Sequence, residues 1–286
     1  MTTNLLKALV QLMSLQSRTV DNSRKKSRNE MNAQGVTLEE YVKDLFCGTT
    51  GALPALRTSR WDESFSYQGT QNNPPDFMIR GGDAVEVKKR EAKNARIHLN
   101  SSPPKHKLLI DDSRLNEDCR NCEEWKQKDI LYVFGQLEKR SPAITSLWFV
   151  YGDCYAAPHG TYDRFVSEIR NVLERQLAYG EAQRTETNEL GGVKGLDPKQ
   201  RTNLRIRAMW DILGPEKTFG AWVDKKDCSF SAHAVLKSEK YYSFPDEDRS
   251  IFERSLGAKT ALKNAKISDP SGSSIQLDAK IFSFWE

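Results

Sequence analysis

The chain has 286 residues, of which 38% are hydrophobic and 29% are charged. This composition excludes a disordered or fibrous protein and fits a globular chain with a large core, built as one elaborated domain or two small ones. The formal net charge of +4 is too small to indicate a polyanionic partner by itself, so that argument depends on where the basic residues cluster.

The first predicted element is an amphipathic helix over residues 3–15, in which Leu5, Leu9 and Leu12 recur at helical spacing. No signal-peptide cleavage pattern follows this apolar stretch. No run of the sequence approaches the length of a membrane span.

The five cysteines are odd in number and irregularly spaced, which indicates reduced thiols, so we expect a cytoplasmic protein.

A second helix is predicted over residues 37–46. Thr37 and Glu40 have the spacing of a capping box at its start. Glu39 has no such structural role; it follows a core-facing leucine and by itself fits an exposed glutamate in the first turn of a helix. Residues 48–72 are rich in Gly, Ser, Thr, Asn and Gln and are predicted to form a loop with one short strand.

A β-hairpin is predicted next. Residues 77–80 form its first strand, residues 81–83 form a Gly-Gly-Asp turn, and residues 84–90 form the return strand. Because side chains alternate along a strand, Val85 and Val87 share the face that we expect to pack on the core.

Three ionisable side chains are predicted to meet on the other, exposed face of this hairpin. Glu86 and Lys88 alternate with the valines, and a turn of this size brings Asp76, at the start of its strand, back beside them. Two carboxylates can bind Mg²⁺, which lowers the pKa of a bound water, and an ammonium can orient that water or stabilise phosphate oxygens. The group suits phosphodiester hydrolysis, although a surface hairpin with an ordinary salt bridge fits the same pattern.

A basic segment follows the hairpin. Between residues 88 and 107, seven lysines and arginines oppose only Glu91. Small polar side chains beside cations suit contacts to phosphates and base edges, although a turn-forming loop without a ligand has a similar composition. The candidates for DNA contact in this segment are Asn100, Ser101, Ser102 and Lys105.

The next regular elements alternate between strands and helices. Residues 130–136 and 146–151 are predicted to be buried strands, because branched and aromatic residues dominate them. A long helix is predicted over residues 161–179, with an apolar stripe that serves the core or a dimer interface. A short helix over residues 252–262 and a terminal strand over residues 275–285 complete the chain. The pattern predicts an α/β fold, with a mixed central β-sheet flanked by helices and a C-terminal elaboration.

A second basic segment lies in the C-terminal part. Residues 181–203 are polar, and from residue 194 to residue 207 the basic residues oppose only Asp197. Arg205 and Arg207 alternate with apolar residues, as on a strand with a basic face, and arginine forks can bind guanine O6 and N7. Solvated surface is the alternative. The candidates for DNA contact here are Lys194, Arg201, Arg205 and Arg207.

These patterns suggest how the chain is divided. We expect residues 1–180 to contain the N-terminal helices and the catalytic core. We expect residues 181–286 to contribute DNA recognition and further sheet and helix elements, within one continuous domain.

Several sequence motifs resemble those of known nucleases. Pro75-Asp76 with Glu86-Val87-Lys88 resembles the motif of the PD-(D/E)XK superfamily. With Leu99-Asn-Ser-Ser-Pro and Trp148-Phe-Val-Tyr-Gly-Asp-Cys154, it resembles type II restriction endonucleases, most of all the NgoPII-type group. The resemblance implies a restriction-endonuclease-like core in which Asp76 and Glu86 bind Mg²⁺. An early helix of this superfamily often carries a glutamate that reaches the metal site, which makes Glu39 a supporting candidate beside the catalytic Lys88.

The resemblance also has implications for partners and substrate. It implies a homodimer that cuts both strands of a short DNA palindrome, with GGCC as the site associated with the NgoPII-type group. It further implies a cognate DNA methyltransferase that protects the host's own sites.

Two other functions remain open from the sequence. A repair or junction nuclease of the same fold would recognise DNA structure more than sequence. A DNA-binding protein without catalysis would bind DNA but would not cut it with Mg²⁺, and the lack of a recognisable helix-turn-helix counts against a repressor.

Overall fold

The computed structural model describes most of the chain. The described residues are 3–20, 30–70, 73–90, 92, 95–138, 141–177, 183–184, 190–195, 197, 199–272 and 274–286. Within them the helices are α1 (Leu5–Ser14), α2 (Glu30–Cys47), α3 (Pro54–Ser64), α4 (Glu117–Asn121), α5 (His159–Leu177), α6 (Pro215–Phe219), α7 (Ser238–Ser243) and α8 (Asp246–Arg254). The strands are β1 (Phe65–Thr70), β2 (Asn73–Ile79), β3 (Ala84–Arg90), β4 (Ile97–Asn100), β5 (Lys107–Leu109), β6 (Gln127–Leu137), β7 (Ile144–Tyr151), β8 (Gln183–Arg184), β9 (Gly191–Lys194), β10 (Leu204–Ile206), β11 (Trp210–Ile212), β12 (Ser231–Lys237), β13 (Thr260–Ser268) and β14 (Gln276–Trp285).

A nine-stranded mixed sheet forms the centre of the fold, in the order β1-β2-β3-β6-β7-β12-β14-β13, with β5 paired to β6. The β3–β6 and β7–β12 pairs are parallel, and the other neighbours are antiparallel. Helices flank the sheet, so the predicted α/β fold with a mixed central sheet is confirmed. Strands β12 to β14, from the C-terminal part, continue the sheet that β1 to β3 begin.

Helices α1 and α2 supply much of the core on one face of the sheet. The apolar residues of the predicted stripe in α1, including Leu5 and Leu9, are fully buried, which confirms this amphipathic helix. Leu38 of α2 packs against Gly135 of β6, where an added Cβ would lie 2.6 Å from a leucine methyl carbon. Glycine at this position therefore allows α2 to approach the sheet closely.

The hairpin is confirmed as the pair β2–β3, but its second face is not exposed. Val85 and Val87 pack into the main core, as predicted. On the other side Ala84 is fully buried in a smaller cluster with Met78 and Leu108. The expectation of an exposed face was wrong because the chain after the hairpin folds back over it.

Three other local predictions were wrong. Helix α2 begins at Glu30, so Thr37 lies inside the helix and not at its N-cap. Residues 54–64 form α3 where a loop was expected, with Pro54 in its first turn. Of the two alternatives for the stripe of α5, the structure disfavours the core, since Phe165 is 64% exposed, and the dimer interface stays a prediction. The predicted helix over residues 252–262 divides into the end of α8 and the start of strand β13.

Two small sheets lie apart from the central one. Strands β8, β9 and β10 form a three-stranded antiparallel sheet, and β11 pairs with β4. The second of these joins the C-terminal basic segment to the loop after the hairpin, through the pairing of Trp210 with Asn100. All five cysteines are free thiols. None of the described helices is long and apolar enough to cross a membrane.

Candidate active site and DNA-contact surface

The hairpin brings the three predicted catalytic side chains together. Val87 donates its backbone N–H to Asp76 Oδ2 at 2.6 Å, which ties the middle of β2 to the middle of β3. On the same strand Lys88 Nζ lies 2.5 Å from Glu86 Oε1. The Glu86 and Lys88 side chains are 15% and 26% exposed, so each is held in a partly buried setting and still reaches solvent.

Crowded negative charge defines the electrostatics of this group. Burial and the neighbouring Glu86 carboxylate raise the pKa of Asp76 well above its usual value, while Lys88 opposes the rise. Burial alone would lower the pKa of Lys88, but Glu86 and Asp76 outweigh it and raise that pKa above the ordinary lysine value. Two carboxylates thus share one ammonium, and the site carries excess negative charge.

Glu39 of α2 lies near this group. Its charge contributes to the raised pKa of both Asp76 and Lys88. Its own carboxylate lies 2.7 Å from Lys43 Nζ, one helical turn later. Glu39 is therefore within electrostatic range of the carboxylate pair, but Lys43 holds it in this arrangement. Its proposed supporting role stays a prediction.

A cavity of about 350 Å³ opens over the three side chains. Asn100, Ser101 and Ser102 of the predicted DNA-contact loop line it together with Asp76, Glu86 and Lys88. Asn100 has a φ of +54°, a left-handed conformation that asparagine tolerates better than most residues, so the chain turns sharply after β4. The turn brings the loop to the mouth of the catalytic cavity.

Lys105 does not fit its predicted role as a phosphate contact. Its side chain also lines the cavity, but it is only 7% exposed and its ammonium is paired with Asp112. Its backbone carbonyl lies against Gly152, where an added Cβ would meet the oxygen at 2.3 Å. Asp112 thus holds the side chain of Lys105, and Gly152 packs against its backbone. These contacts favour a role in anchoring the loop over a direct contact with DNA.

Sequence reasoning missed Tyr132, which lines the same cavity from β6. Tyr132 lies opposite Glu86 in the parallel β3–β6 register. Its hydroxyl accepts the backbone N–H of Lys105 at 2.8 Å and so joins the loop to the catalytic strand. No motif identifies such a residue, because its function depends on the register between two strands far apart in sequence.

The second set of DNA-contact candidates lies on exposed backbone beyond the cavity. Lys194 ends β9, Arg205 lies in β10, and Arg201 lies in the loop between these strands; all three are exposed. Arg207 follows β10 and lines a further cavity together with Asn100. The structure therefore brings Arg207 to the loop that borders the active site, while the other three lie on the adjoining small sheet.

The carboxylates of the site suit a metal ion that needs few protein ligands. In the part of the chain that the structure describes, no group of three or more His, Cys, Asp or Glu side chains is arranged to hold a metal. The donors are the two carboxylates of Asp76 and Glu86, whose mutual repulsion a cation would relieve. Mg²⁺ is commonly held by one or two carboxylates, with water and substrate phosphate completing its ligands, so this pair fits that ion.

A mixed sheet flanked by helices, with an Asp and a Glu-x-Lys set on adjacent strands, defines a restriction-endonuclease-like core. The family model for the NgoPII restriction endonuclease matches residues 3–268. The type II restriction enzyme NgoPII of Neisseria gonorrhoeae is 37% identical over 263 residues, which cover 92% of each chain. No solved structure matches.

The chain belongs to the NgoPII restriction endonuclease family. It is a type II restriction enzyme, a site-specific deoxyribonuclease that hydrolyses phosphodiester bonds in DNA. Enzymes of this type generally use a divalent metal ion.

Proposed function

We propose that this enzyme uses Mg²⁺ and the side chains of Asp76, Glu86 and Lys88 to cut both strands of a short palindromic DNA site. One observation carries the proposal: the Val87 N–H fixes Asp76 beside the Glu86–Lys88 pair, in a cavity that the Asn100–Ser102 loop borders. A palindrome requires two active sites related by a two-fold axis, so we propose a homodimer.

Each residue of the site has a proposed task. Asp76 and Glu86 would hold the metal ion, and Glu39 would support them from α2. When bound, such an ion lowers the pKa of a coordinated water and neutralises charge that develops on the phosphate. Lys88 presents a positive charge at the same place, where it stabilises the phosphate oxygens in the transition state and orients the attacking water. The main-chain bond from Val87 keeps Asp76 in position.

DNA contact is proposed for both basic segments. Asn100, Ser101 and Ser102 border the cavity, so they would contact the backbone and groove next to the scissile phosphate. Lys194, Arg201, Arg205 and Arg207 would extend this contact along the DNA, with the arginines reading bases. The proposal extends to a cognate methyltransferase that protects the same sequence and to action in the cytoplasm, in keeping with the free thiols of all five cysteines.

Digestion of plasmid and phage DNA with Mg²⁺ tests the proposal, with GGCC as the first sequence to examine. Discrete bands that end at one palindromic sequence are expected. A smear would indicate a nuclease without sequence specificity. Intact DNA that is nevertheless bound would indicate a binding protein, and either result would overturn the proposed activity.

The metal is tested in the same assay. Ca²⁺ is larger than Mg²⁺ and more loosely coordinated, so it should support binding without efficient cleavage. Rapid specific cleavage in Ca²⁺ alone would contradict the proposed metal site.

A further inference from the structure

A second cavity, of about 380 Å³, lies beside the catalytic one. It is lined by Asn100, Ser101, Arg114, Arg170, Arg207 and Trp210, among others. We propose that this cavity is a base-reading subsite in which the guanidinium of Arg114 contacts the major-groove edge of a guanine. The inference deepens the proposed function and rests on it, since it assigns part of the sequence specificity to a residue outside both basic segments.

The two cavities are continuous along one loop. Asn100 and Ser101 line both of them. The pairing of Trp210 with Asn100 holds the far wall of the second cavity against the same loop. A DNA strand with a phosphate at the carboxylate pair would therefore present its neighbouring bases toward the second cavity.

The chemistry of the second cavity suits an acceptor-rich ligand. Three guanidinium groups line it, those of Arg114, Arg170 and Arg207, and none of the described residues that line it is acidic. Guanine presents two acceptors, O6 and N7, in the major groove, and an arginine fork can bind both. A phosphate would satisfy the same donors, so the experiment must separate a base contact from a backbone contact.

Arg114 is held in place more firmly than an arginine on an open loop. Its backbone N–H donates to Asp112 Oδ1 at 3.0 Å. The guanidinium of Arg120 donates to the carbonyls of Ile110 and Asp112, at 3.0 and 2.8 Å, and so braces the same turn. A rigid backbone turn beneath Arg114 reduces the conformational entropy that is lost when its side chain binds. A contact that determines specificity requires such rigidity.

Asp112 links the two cavities directly. Its buried carboxylate pairs with Lys105 of the catalytic cavity and lies 3.5 Å from Arg114 Nη1. Within the described part of the chain this is the one side-chain contact of Arg114, so most of its five N–H donors have no partner there, and 23% of its side chain is exposed. A base contact at Arg114 is thus connected through a single carboxylate to the wall of the active site.

The experiment compares the wild-type enzyme with Arg114→Gln on single-site DNA duplexes. In one set of duplexes, each guanine of the recognition site is replaced in turn by 7-deazaguanine, which lacks the N7 acceptor. The wild-type enzyme should cut one of these duplexes about 10- to 100-fold more slowly than the natural site. Arg114→Gln should cut the natural site more slowly by a similar factor and should be insensitive to the substitution at that same position.

A matched control is Arg254→Gln, which replaces an exposed arginine of α8 and should keep the wild-type pattern. The inference is overturned if Arg114→Gln keeps full 7-deazaguanine sensitivity at every guanine. It is also overturned if the variant slows cutting of all duplexes alike and its affinity loses salt dependence, since that indicates a phosphate contact. Failure of the wild-type enzyme to cut one defined sequence would instead refute the proposed function itself.

Discussion

The β2–β3 hairpin and the segment from residue 190 to residue 213 differ in how firmly the fold holds them. The hairpin carries the proposed catalytic side chains, and the later segment carries most of the proposed base-reading arginines. Asp76, Glu86 and Lys88 lie on strands inside a nine-stranded sheet, partly buried and held by local bonds. The later segment forms strands of three or four residues in which Val193 is buried but Lys194 and Arg205 are exposed, and Met209 is 74% exposed. Under the proposed function, hydrolysis would depend on fixed geometry, whereas recognition would depend on side chains that can reach a groove.

The largest effect should come from the hairpin. Lys88→Ala should lower the rate of cleavage at least about a hundredfold, because it removes the positive charge at the phosphate. Binding of the same DNA should change little, since the contacts of the exposed segment remain. Single-turnover cleavage and a binding titration measure the two quantities. Lys126→Ala, at an exposed lysine, is the control, and a rate for Lys88→Ala close to that of this control would remove Lys88 from the mechanism.

The next effect concerns how the two regions are joined. Arg90, at the end of the catalytic strand, has a fully buried side chain that pairs with Glu216 of α6, just after the recognition segment. Arg90→Met should destabilise the protein by about 3–5 kcal/mol, because it leaves a buried carboxylate without its partner. Urea unfolding measures this loss, and Arg90→Met combined with Glu216→Gln should recover part of it. Equal stability of the single and double variants would show that the pair does not join the regions.

A smaller effect is expected in the exposed segment. Arg205→Ala and Arg207→Ala should each lower the ratio of cleavage at the cognate site to cleavage at sites with one base changed. The expected loss of discrimination free energy is about 1–3 kcal/mol. Their folding stability should stay near that of the wild type, because Arg205 and Arg207 are exposed. Competition digests on paired substrates measure the ratio. Full discrimination and full affinity in both variants would identify this segment as ordinary surface.

The smallest effect belongs to Lys194, which is exposed at the end of β9. If its ammonium contacts a phosphate, Lys194→Ala should weaken binding to all sequences alike and reduce the slope of log affinity against log salt by about 1. Binding titrations at several salt concentrations give this slope. An unchanged slope would place Lys194 outside the DNA contact.

Sequence reasoning was most successful where local pattern and tertiary environment agree. The alternation of residues 84–90 and the Gly-Gly-Asp turn led to the hairpin and to its three ionisable side chains, because both signals are local. Helix α3 was missed because it has no apolar stripe: its buried side chains are Arg57 and Ser64, and Arg57 pairs with Glu40 and Asp44 of α2. The buried partner of Lys105 was missed because Asp112 comes close only once the chain has folded back over the hairpin.

The same limit applies to the candidate site. Asn100, Ser101 and Ser102 could be selected from their composition, and they border the cavity. Tyr132 and Arg114 could not be selected, since their positions depend on strand register and on a turn braced by Arg120. Sequence patterns thus reveal groups that meet within one hairpin more readily than groups that meet across the sheet.

The most direct test of the account is single-turnover cleavage by Asp76→Ala in Mg²⁺, measured with its affinity for the same single-site duplex. Asp76 is the carboxylate that the Val87 N–H fixes beside Glu86, so its loss should abolish cutting at the cognate site. Affinity should stay within a few fold, because phosphate and base contacts lie on other side chains. Near-normal cleavage by Asp76→Ala would contradict the proposed active site, whatever the DNA-contact variants show.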